Sequence, residues 1–351
     1  MKIVSTQAAV LFESHRPLQI VDVILPDTLL PGQVLVELIT SGICGAQINE
    51  IDAVKGPDKF LPHLLGHEGF ARVVEVGPGV SKLSADDTVI MHWRPSSGIA
   101  ATPPKYSFNG HTVNAGWVTT FNQHAIVSEN RLTKVDNENF DKFSLPLLGC
   151  ALTTALGVLE NDANVSPRDS VLIFGFGGVG ISLVLFAKFL KARKIVVVDI
   201  DADKERLAKS LGVDEFILFT SKDQVAAELR NYYGAKLPTL AIETSGKSTS
   251  IELCYEMSSD SARVILVGVP HLNDKATLYT LPLHFGKILT GSKGGGSNPD
   301  SDIPFILSLI ENEEINLELL PRIVIPFKDI NEGIQMIRNG INGRVVLDFQ
   351  A

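Results

Sequence analysis

The stretch from Ser170 to Asp199 constrains this chain more than any other. Ser170-Val171-Leu172-Ile173-Phe174 is an apolar run, and it ends in Gly175-Phe176-Gly177-Gly178-Val179-Gly180. Ile181 to Leu190 then reads as a helix, and Lys194-Ile195-Val196-Val197-Val198-Asp199 as a second buried strand. Strand, glycine turn, helix and strand in that order open a doubly wound parallel sheet. Gly175 permits the tight turn, Gly177 lets backbone approach a pyrophosphate, and Gly180 lets the helix lie close to the strand. Gly178 and Val179 then sit at the helix N-terminus, where amide N–H groups favour a phosphate. A glycine-rich turn that only packs is the bland alternative, and the flanking strands and helix disfavour it. Asp199 falls where a carboxylate accepts ribose hydroxyls and repels a 2′-phosphate, so NAD is expected over NADP. Asp201 and Asp203 add to that negative field.

Strand-helix alternation continues downstream. Asp203 to Leu211 reads as a helix stopped by Gly212. Leu240-Ala241-Ile242-Glu243 and Arg263 to Gly268 read as further strands. Gly294-Gly295-Gly296-Ser297 reads as a hinge or a cofactor loop. Ile303 to Ile310 and Ile334 to Arg338 read as helices, and Arg344 to Leu347 as a closing strand.

Residues 1–150 follow a different pattern. Gln33 to Ile39 reads as a half-buried strand, followed by Ala71 to Gly77, Thr88 to Met91 and Thr120 to Val127. Short strands punctuated by glycine and proline suggest a β-rich domain, a partly open barrel. The expected organisation is a first domain of residues 1–150 and 297–351 with a second, 151–296, inserted. A chain of 351 residues is comfortable for two domains.

Charge narrows the partners. The net charge of −9 argues against nucleic acid or an anionic membrane. No apolar run is long enough to span a bilayer, and Met1 to Gln7 shows no signal-peptide core. The expectation is a cytoplasmic protein with a small-molecule substrate. Its three cysteines then serve as reduced thiols rather than a disulfide framework.

Two of those cysteines stand in glycine-flanked segments, Ser41-Gly42-Ile43-Cys44-Gly45 and Leu147-Leu148-Gly149-Cys150. Between them comes Gly66-His67-Glu68-Gly69. Two thiolates and an imidazole from distant loops make a catalytic zinc site with an open fourth position. Taken singly, each cysteine also reads as a small buried hydrophobe and the histidine as a hydrogen-bonded core residue. Both readings stand on spacing alone. Cys254 lies in an apparent amphipathic helix and reads as core.

Gly42-Ile43-Cys44-Gly45, Gly66-His67-Glu68-Gly69, Gly149-Cys150 and the glycine turn together resemble the zinc-dependent medium-chain alcohol dehydrogenases. The resemblance runs through nearly the whole chain. Leu147-Leu148-Gly149-Cys150 and Val267-Gly268-Val269-Pro270 look most like the class III, glutathione-dependent formaldehyde dehydrogenase branch. It implies an α/β protein with a GroES-like β-rich catalytic domain and a Rossmann domain. It implies one catalytic zinc on Cys44, His67 and Cys150, with Glu68 approaching from behind, and NAD as cofactor. It also implies cofactor contacts from Gly268, Val269, Gly291 to Gly295 and Arg344, with Arg344 at the pyrophosphate. A homodimer or homotetramer is the implied assembly.

Three departures from the family pattern matter. The lobe that holds a second, structural zinc on four cysteines is replaced by Pro95 to Pro104, which has no cysteine. The hydroxyl residue of the proton relay is Ala46, and its histidine is Asn49. The aspartate that orients the metal-bound histidine is Gln47. His92, in Met91-His92-Trp93-Arg94, is the candidate acid–base group in place of the lost hydroxyl. Trp93 reads as a pocket wall and Arg94 as a partner for an anionic group. With His111 and Asn114 they favour a polar substrate such as a polyol, sugar or sugar derivative. The rival readings are a zinc-free enone or quinone reductase and a non-catalytic nucleotide-binding protein on the same fold.

Overall fold

The computed structural model describes residues 3–136 and 140–351; Met1 and Lys2, at the head of the amino-terminal stretch, lie outside it. In chain order the strands are β1 (Ser5–Leu11), β2 (Gln19–Ile24), β3 (Gln33–Ile43), β4 (His63–Leu64), β5 (Gly69–Val76), β6 (Thr88–Met91), β7 (Lys105–Phe108), β8 (His111–Asn114), β9 (His124–Ser128), β10 (Leu132–Lys134), β11 (Ser170–Phe174), β12 (Lys194–Asp199), β13 (Glu215–Leu218), β14 (Leu240–Glu243), β15 (Arg263–Leu266), β16 (Ile288–Gly291), β17 (Arg322–Pro326) and β18 (Arg344–Asp348). The α-helices are α1 (Gly45–Ile51), α2 (Ala151–Gly157), α3 (Gly178–Phe189), α4 (Glu205–Ser210), α5 (Lys222–Tyr233), α6 (Ser248–Glu256), α7 (Pro299–Glu311) and α8 (Ile330–Arg338). The chain divides into two compact units. One comprises Met1–Cys150, Asn298–Ser308 and Pro321–Ala351; the other comprises Ala151–Ser297 and Leu309–Leu320.

In the first unit, β1, β2, β7, β8 and β4 close into a barrel. The barrel is closed where the sequence suggested a partly open one. Beside it lies a seven-stranded sheet in the order β10-β6-β5-β3-β18-β17, with β9 also paired to β3. The expected half-buried strand at Gln33 is in fact the long central strand β3, which pairs with β5, β9 and β18 and is buried on both faces along most of its length. The strand expected from Thr120 begins only at His124. Thr120 N and Phe121 N donate instead to Leu65 O, and Phe121 O accepts from Ala9 N, so this stretch pins loops rather than joining a ladder. α8 lays Ile330 and Ile334 onto Ile43, Ile325 and Val345. A Cβ on Gly333 would meet those three side chains at 2.7–2.9 Å, so only a glycine lets the helix sit this close.

The second unit is built on a six-stranded parallel sheet in the order β13-β12-β11-β14-β15-β16. The centres of β11, β12 and β14 are apolar and buried, as a parallel sheet covered on both faces requires. The helix expected over Asp203 to Leu211 is a 3₁₀ turn (Ala202–Lys204) followed by α4, and Gly212 stops it with φ at 76°. Cys254 is buried in α6 among Leu253, Tyr255 and Met257, a core residue as expected. No helix among the described residues is long and apolar enough to cross a membrane.

Candidate functional site

The end of β3 delivers Cys44, the connection between β4 and β5 delivers His67 and Glu68, and a 3₁₀ turn (Leu145–Gly149) delivers Cys150. Their donor atoms all lie within 4.8 Å of one another. Long-range strand pairing makes this meeting possible: Gly42 N donates to Glu68 O at 3.0 Å, and Ser41 pairs with Gly69. The glycines beside the ligands permit close approach. A Cβ on Gly42 would lie 2.4 Å from Glu68 Oε2, and one on Gly149 would lie 2.3 Å from Met91 O.

The group behaves as an incomplete coordination shell. His67 Nε2 and Glu68 Oε2 are buried without any hydrogen-bond partner. Orphaned buried polar atoms of this kind are costly unless something binds them. Cys44 and Cys150 shift in opposite directions. The hydrogen bond from Cys150 holds the Cys44 thiol well below its ordinary range against the effect of burial, with the charge of Arg344 helping. The same bond pushes Cys150 well above, and burial adds to it. Burial pushes Glu68 up to about 7 although Arg344 pulls it down. For His67, burial works downward, but Cys44 and Glu68 override it and the net shift is upward. Two sulfurs, one imidazole nitrogen and a carboxylate in reserve suit a zinc ion.

Gln47 takes the place of the orienting carboxylate. Its Nε2 lies 2.8 Å from His67 Nδ1 and 3.2 Å from Glu50 Oε2, while its Oε1 is buried and unpartnered. Turning the amide about presents Oε1 to an Nδ1–H, the tautomer that frees Nε2 for a metal. That turn gives up the bond that Nε2 donates to Glu50.

Three expected site residues stand elsewhere. Arg344 is buried against Glu68, with Nη2 donating to Oε1 at 2.9 Å and Nη1 to Ile43 O at 3.4 Å. It is the counter-ion of the metal group, with Nε buried and unpartnered. Asn114 donates to Phe60 O at 2.8 Å, and His111 lies exposed on the β7–β8 hairpin. Neither joins the metal group.

His92 departs most from expectation. It is wholly enclosed, with Nδ1 2.7 Å from Arg94 O and Nε2 3.0 Å from Thr133 Oγ1. Burial lowers its pKa to about 4, and the charges of Lys82 and Arg131 oppose the small lift from Asp300. A neutral ring with both nitrogens engaged has no proton to trade near pH 7, so the acid–base role is withdrawn. A measurable consequence follows from linkage. Between pH 6.5 and about 4 the unfolded chain binds a proton at His92 that the folded chain refuses. Folding stability therefore falls as pH drops through that window, by on the order of 3 kcal/mol. Denaturant titrations of His92→Gln and the parent at pH 7 and pH 4.5 should show a shallower pH dependence in the variant. Equal slopes would return the histidine to an exposed setting.

In the second unit the glycine turn has the geometry its sequence suggests. Gly175 has φ at 93°, and a Cβ on Gly180 would lie 2.0 Å from Gly175 O. Nothing stands within 4 Å of a Cβ built on Gly177, which leaves open space over the turn. Gly177 caps α3 without a side-chain hydrogen bond, so the amides of Gly178, Val179 and Gly180 remain available to an anion. Asp199, at the end of β12, accepts from Phe176 N at 2.5 Å, Asp201 N at 3.1 Å and Lys204 Nζ at 3.0 Å. Gly268 follows β15 against Gly246, and Val269 is half exposed beside it. Gly295 is wedged against Gly157, and its carbonyl accepts from Asn161 Nδ2 at 2.8 Å. That loop is packed in place and is not a hinge.

Sequence reasoning passed over Arg131 and Trp117. Arg131 donates through Nη1 to Trp93 O, and its guanidinium stands 5.4 Å from the Trp117 ring centre. Their spacing in the chain carries no recognisable pattern, because β9 intervenes. It also missed Glu129, whose carboxylate accepts from Ser81 N, Lys82 N and Ile99 N. With the Lys82–Asp300 ion pair at 2.8 Å, Glu129 fastens the cysteine-free segment that replaces the structural-zinc lobe.

Comparison with known proteins agrees with this geometry. Residues 30–137 match the alcohol dehydrogenase GroES-like domain and residues 178–312 the zinc-binding dehydrogenase domain. The chain is 28% identical to an S-(hydroxymethyl)glutathione dehydrogenase of a Synechocystis strain, covering 98% of this chain and 100% of that one. It is 29% identical to the class-2 alcohol dehydrogenase isozyme 2 of Oryctolagus cuniculus, covering 99% of each. Among solved structures, a zinc-binding-domain alcohol dehydrogenase protein from Burkholderia ambifaria superposes with a TM-score of 0.88 at 25% identity over 98% of both chains. With a four-donor metal group in one unit and a nucleotide-type glycine turn in the other, the chain belongs to the zinc-dependent medium-chain alcohol dehydrogenases, NAD-dependent oxidoreductases of alcohols and aldehydes.

Proposed function

We propose that this protein interconverts a polar alcohol and its carbonyl compound, with Cys44, His67 and Cys150 as the zinc ligands. The convergence of their donor atoms within 4.8 Å, with His67 Nε2 unpartnered, carries the reading. Bound zinc would polarise the C–O bond of the substrate, and a bound nicotinamide would supply or take the hydride. The chain's own residues do the rest. Gln47 fixes the His67 ring. Glu68 brings a buried carboxylate to the metal group, and Arg344 balances its charge. Gly175, Gly177 and Gly180 shape a phosphate cradle at the head of α3, with Asp199 placed for the ribose and Gly268 and Val269 beside it. With Ala46 and Asn49 in the relay positions and His92 enclosed, the alcohol proton leaves through water or a hydroxyl of the substrate. A substrate with neighbouring hydroxyls fits that need, which supports a polyol, sugar or sugar derivative. The test is NADH formation across paired mono-alcohols and polyols on zinc-loaded protein, with polyols expected to have the higher kcat/KM. Simple mono-alcohols turned over as well as polyols would sink the polyol preference.

The assembly we infer is a homodimer through the edge strand β16. Its outer side is unpaired within the chain, and it is flanked by exposed Leu272, Tyr279, Leu281 and Phe285, the last 75% exposed. Exposed apolar side chains beside an unpaired sheet edge favour burial against a second copy. Phe285→Asp should shift the sedimenting species from dimer toward monomer, and an unchanged dimer would place the interface elsewhere. Three cysteines, two of them in the metal group, support a reducing, cytoplasmic setting.

A further inference from the structure

We propose that the substrate handled at this metal centre carries an oxyanion, a carboxylate or a phosphate, that seats on Arg131 against the face of Trp117. The inference rests on the dehydrogenase reading above and adds to it the chemistry of the substrate's far end.

Arg131 is a half-buried arginine with an unusual set of neighbours. Its Nη1 donates to Trp93 O, its Nε is buried without a partner, and its guanidinium lies over the Trp117 ring. Among the described residues it forms no ion pair. The nearby acids are committed: Glu129 to the amides of Ser81, Lys82 and Ile99, and Asp300 to Lys82 and Ser97. The charge that acts on Arg131 is a second arginine. Burial pushes its pKa down, and the positive charge of Arg94 pushes it further. Arg94 itself lies over the Trp93 ring at 5.7 Å. In a chain of net charge −9, Arg131 is a positive charge without an acid beside it among the described residues. A partly desolvated guanidinium without a counter-charge is costly. An arriving carboxylate or phosphate removes that cost and matches the guanidinium fork with two parallel hydrogen bonds.

Position links the feature to the metal group. Trp93 N donates to Gly149 O at 3.4 Å, and Gly149 leads directly into Cys150. Residues 91–94 thus press on the segment that delivers a metal ligand, and Arg131 grips the carbonyl of Trp93. Trp117, 50% exposed, leaves the site open to solvent. Trp93 Nε1 is buried and unpartnered.

The chain has two tryptophans, and both are here, so intrinsic fluorescence reads this site directly. Full-length zinc-loaded protein would be titrated with 4-(hydroxymethyl)benzoate, with benzyl alcohol and with inorganic phosphate. A saturable change is expected with the carboxylate or with phosphate and not with benzyl alcohol. It should be lost in Arg131→Gln and partly retained in Arg131→Lys. Turnover provides the second readout. The ratio of kcat/KM for 4-(hydroxymethyl)benzoate over benzyl alcohol, or for glycerol 3-phosphate over glycerol, should be about 10 to 100. In Arg131→Gln it should fall toward one. Whichever pair shows the ratio identifies carboxylate or phosphate. The proposal is overturned by no fluorescence response to either anion, by an equal response in parent and Arg131→Gln, or by a ratio of one in the parent. An anion-dependent response with no NADH formed from any alcohol would keep the oxyanion site and reject the dehydrogenase reading.

Discussion

Cys44→Ser and Cys150→Ser are expected to lose bound zinc and to lower kcat/KM by about 10³-fold or more. The metal supplies several kcal/mol of stabilisation to the developing charge, and each 1.4 kcal/mol is about a factor of ten. NAD binding should change little, because the glycine turn and Asp199 lie in the other unit. The parent should hold about one zinc per chain. The Cys44, His67, Glu68 and Cys150 group is the one metal-binding cluster of its kind among the described residues, and the segment from Pro95 to Pro104 holds no cysteine. Metal analysis and steady-state kinetics on the same samples check both statements. Two zincs per chain would require a site outside this group. Full turnover in both serine variants after chelation would remove the metal from the mechanism.

Asp199→Asn is expected to raise NADP efficiency more than it lowers NAD efficiency. The carboxylate already accepts two backbone amides and Lys204, which leaves acceptor capacity on Oδ2 for one ribose hydroxyl. Losing that charge-assisted bond costs about 1–3 kcal/mol, or roughly 5- to 150-fold in NAD kcat/KM. The same change removes the negative charge that repels a 2′-phosphate and releases Lys204 to meet it. The NAD/NADP ratio should therefore narrow from both sides. Equal efficiency with the two cofactors in the parent protein would mean that Asp199 faces away from the ribose.

Much of the second unit was readable from local pattern. The strands at Ser170, Lys194 and Leu240 begin and end where their apolar runs do, because a strand covered on both faces has no polar alternation to blur its ends. The three glycines of the turn were assigned their roles from spacing, and Gly180 against Gly175 O and the clear space at Gly177 match those roles. The first unit was harder. Two-residue β4 and four-residue β7 and β8 carry too little pattern to be seen, and they exist because a barrel closes around them. His92 looked like a free acid–base group because it falls where the resembled family lines its substrate pocket. Thr133, 41 positions away, and the Arg94 carbonyl turned it inward.

The sequence by itself determined the nucleotide turn and its acid, since both depend on residue type and on local spacing, and the family resemblance it carries named the candidate metal donors. Only the tertiary structure decided that Cys44, His67 and Cys150 meet and that Arg344 belongs to Glu68. It alone brought Arg131 and Trp117 to Trp93. Those contacts join residues tens to hundreds of positions apart. They are set by the pairing of β3 with β5, β9 and β18, which no local pattern encodes.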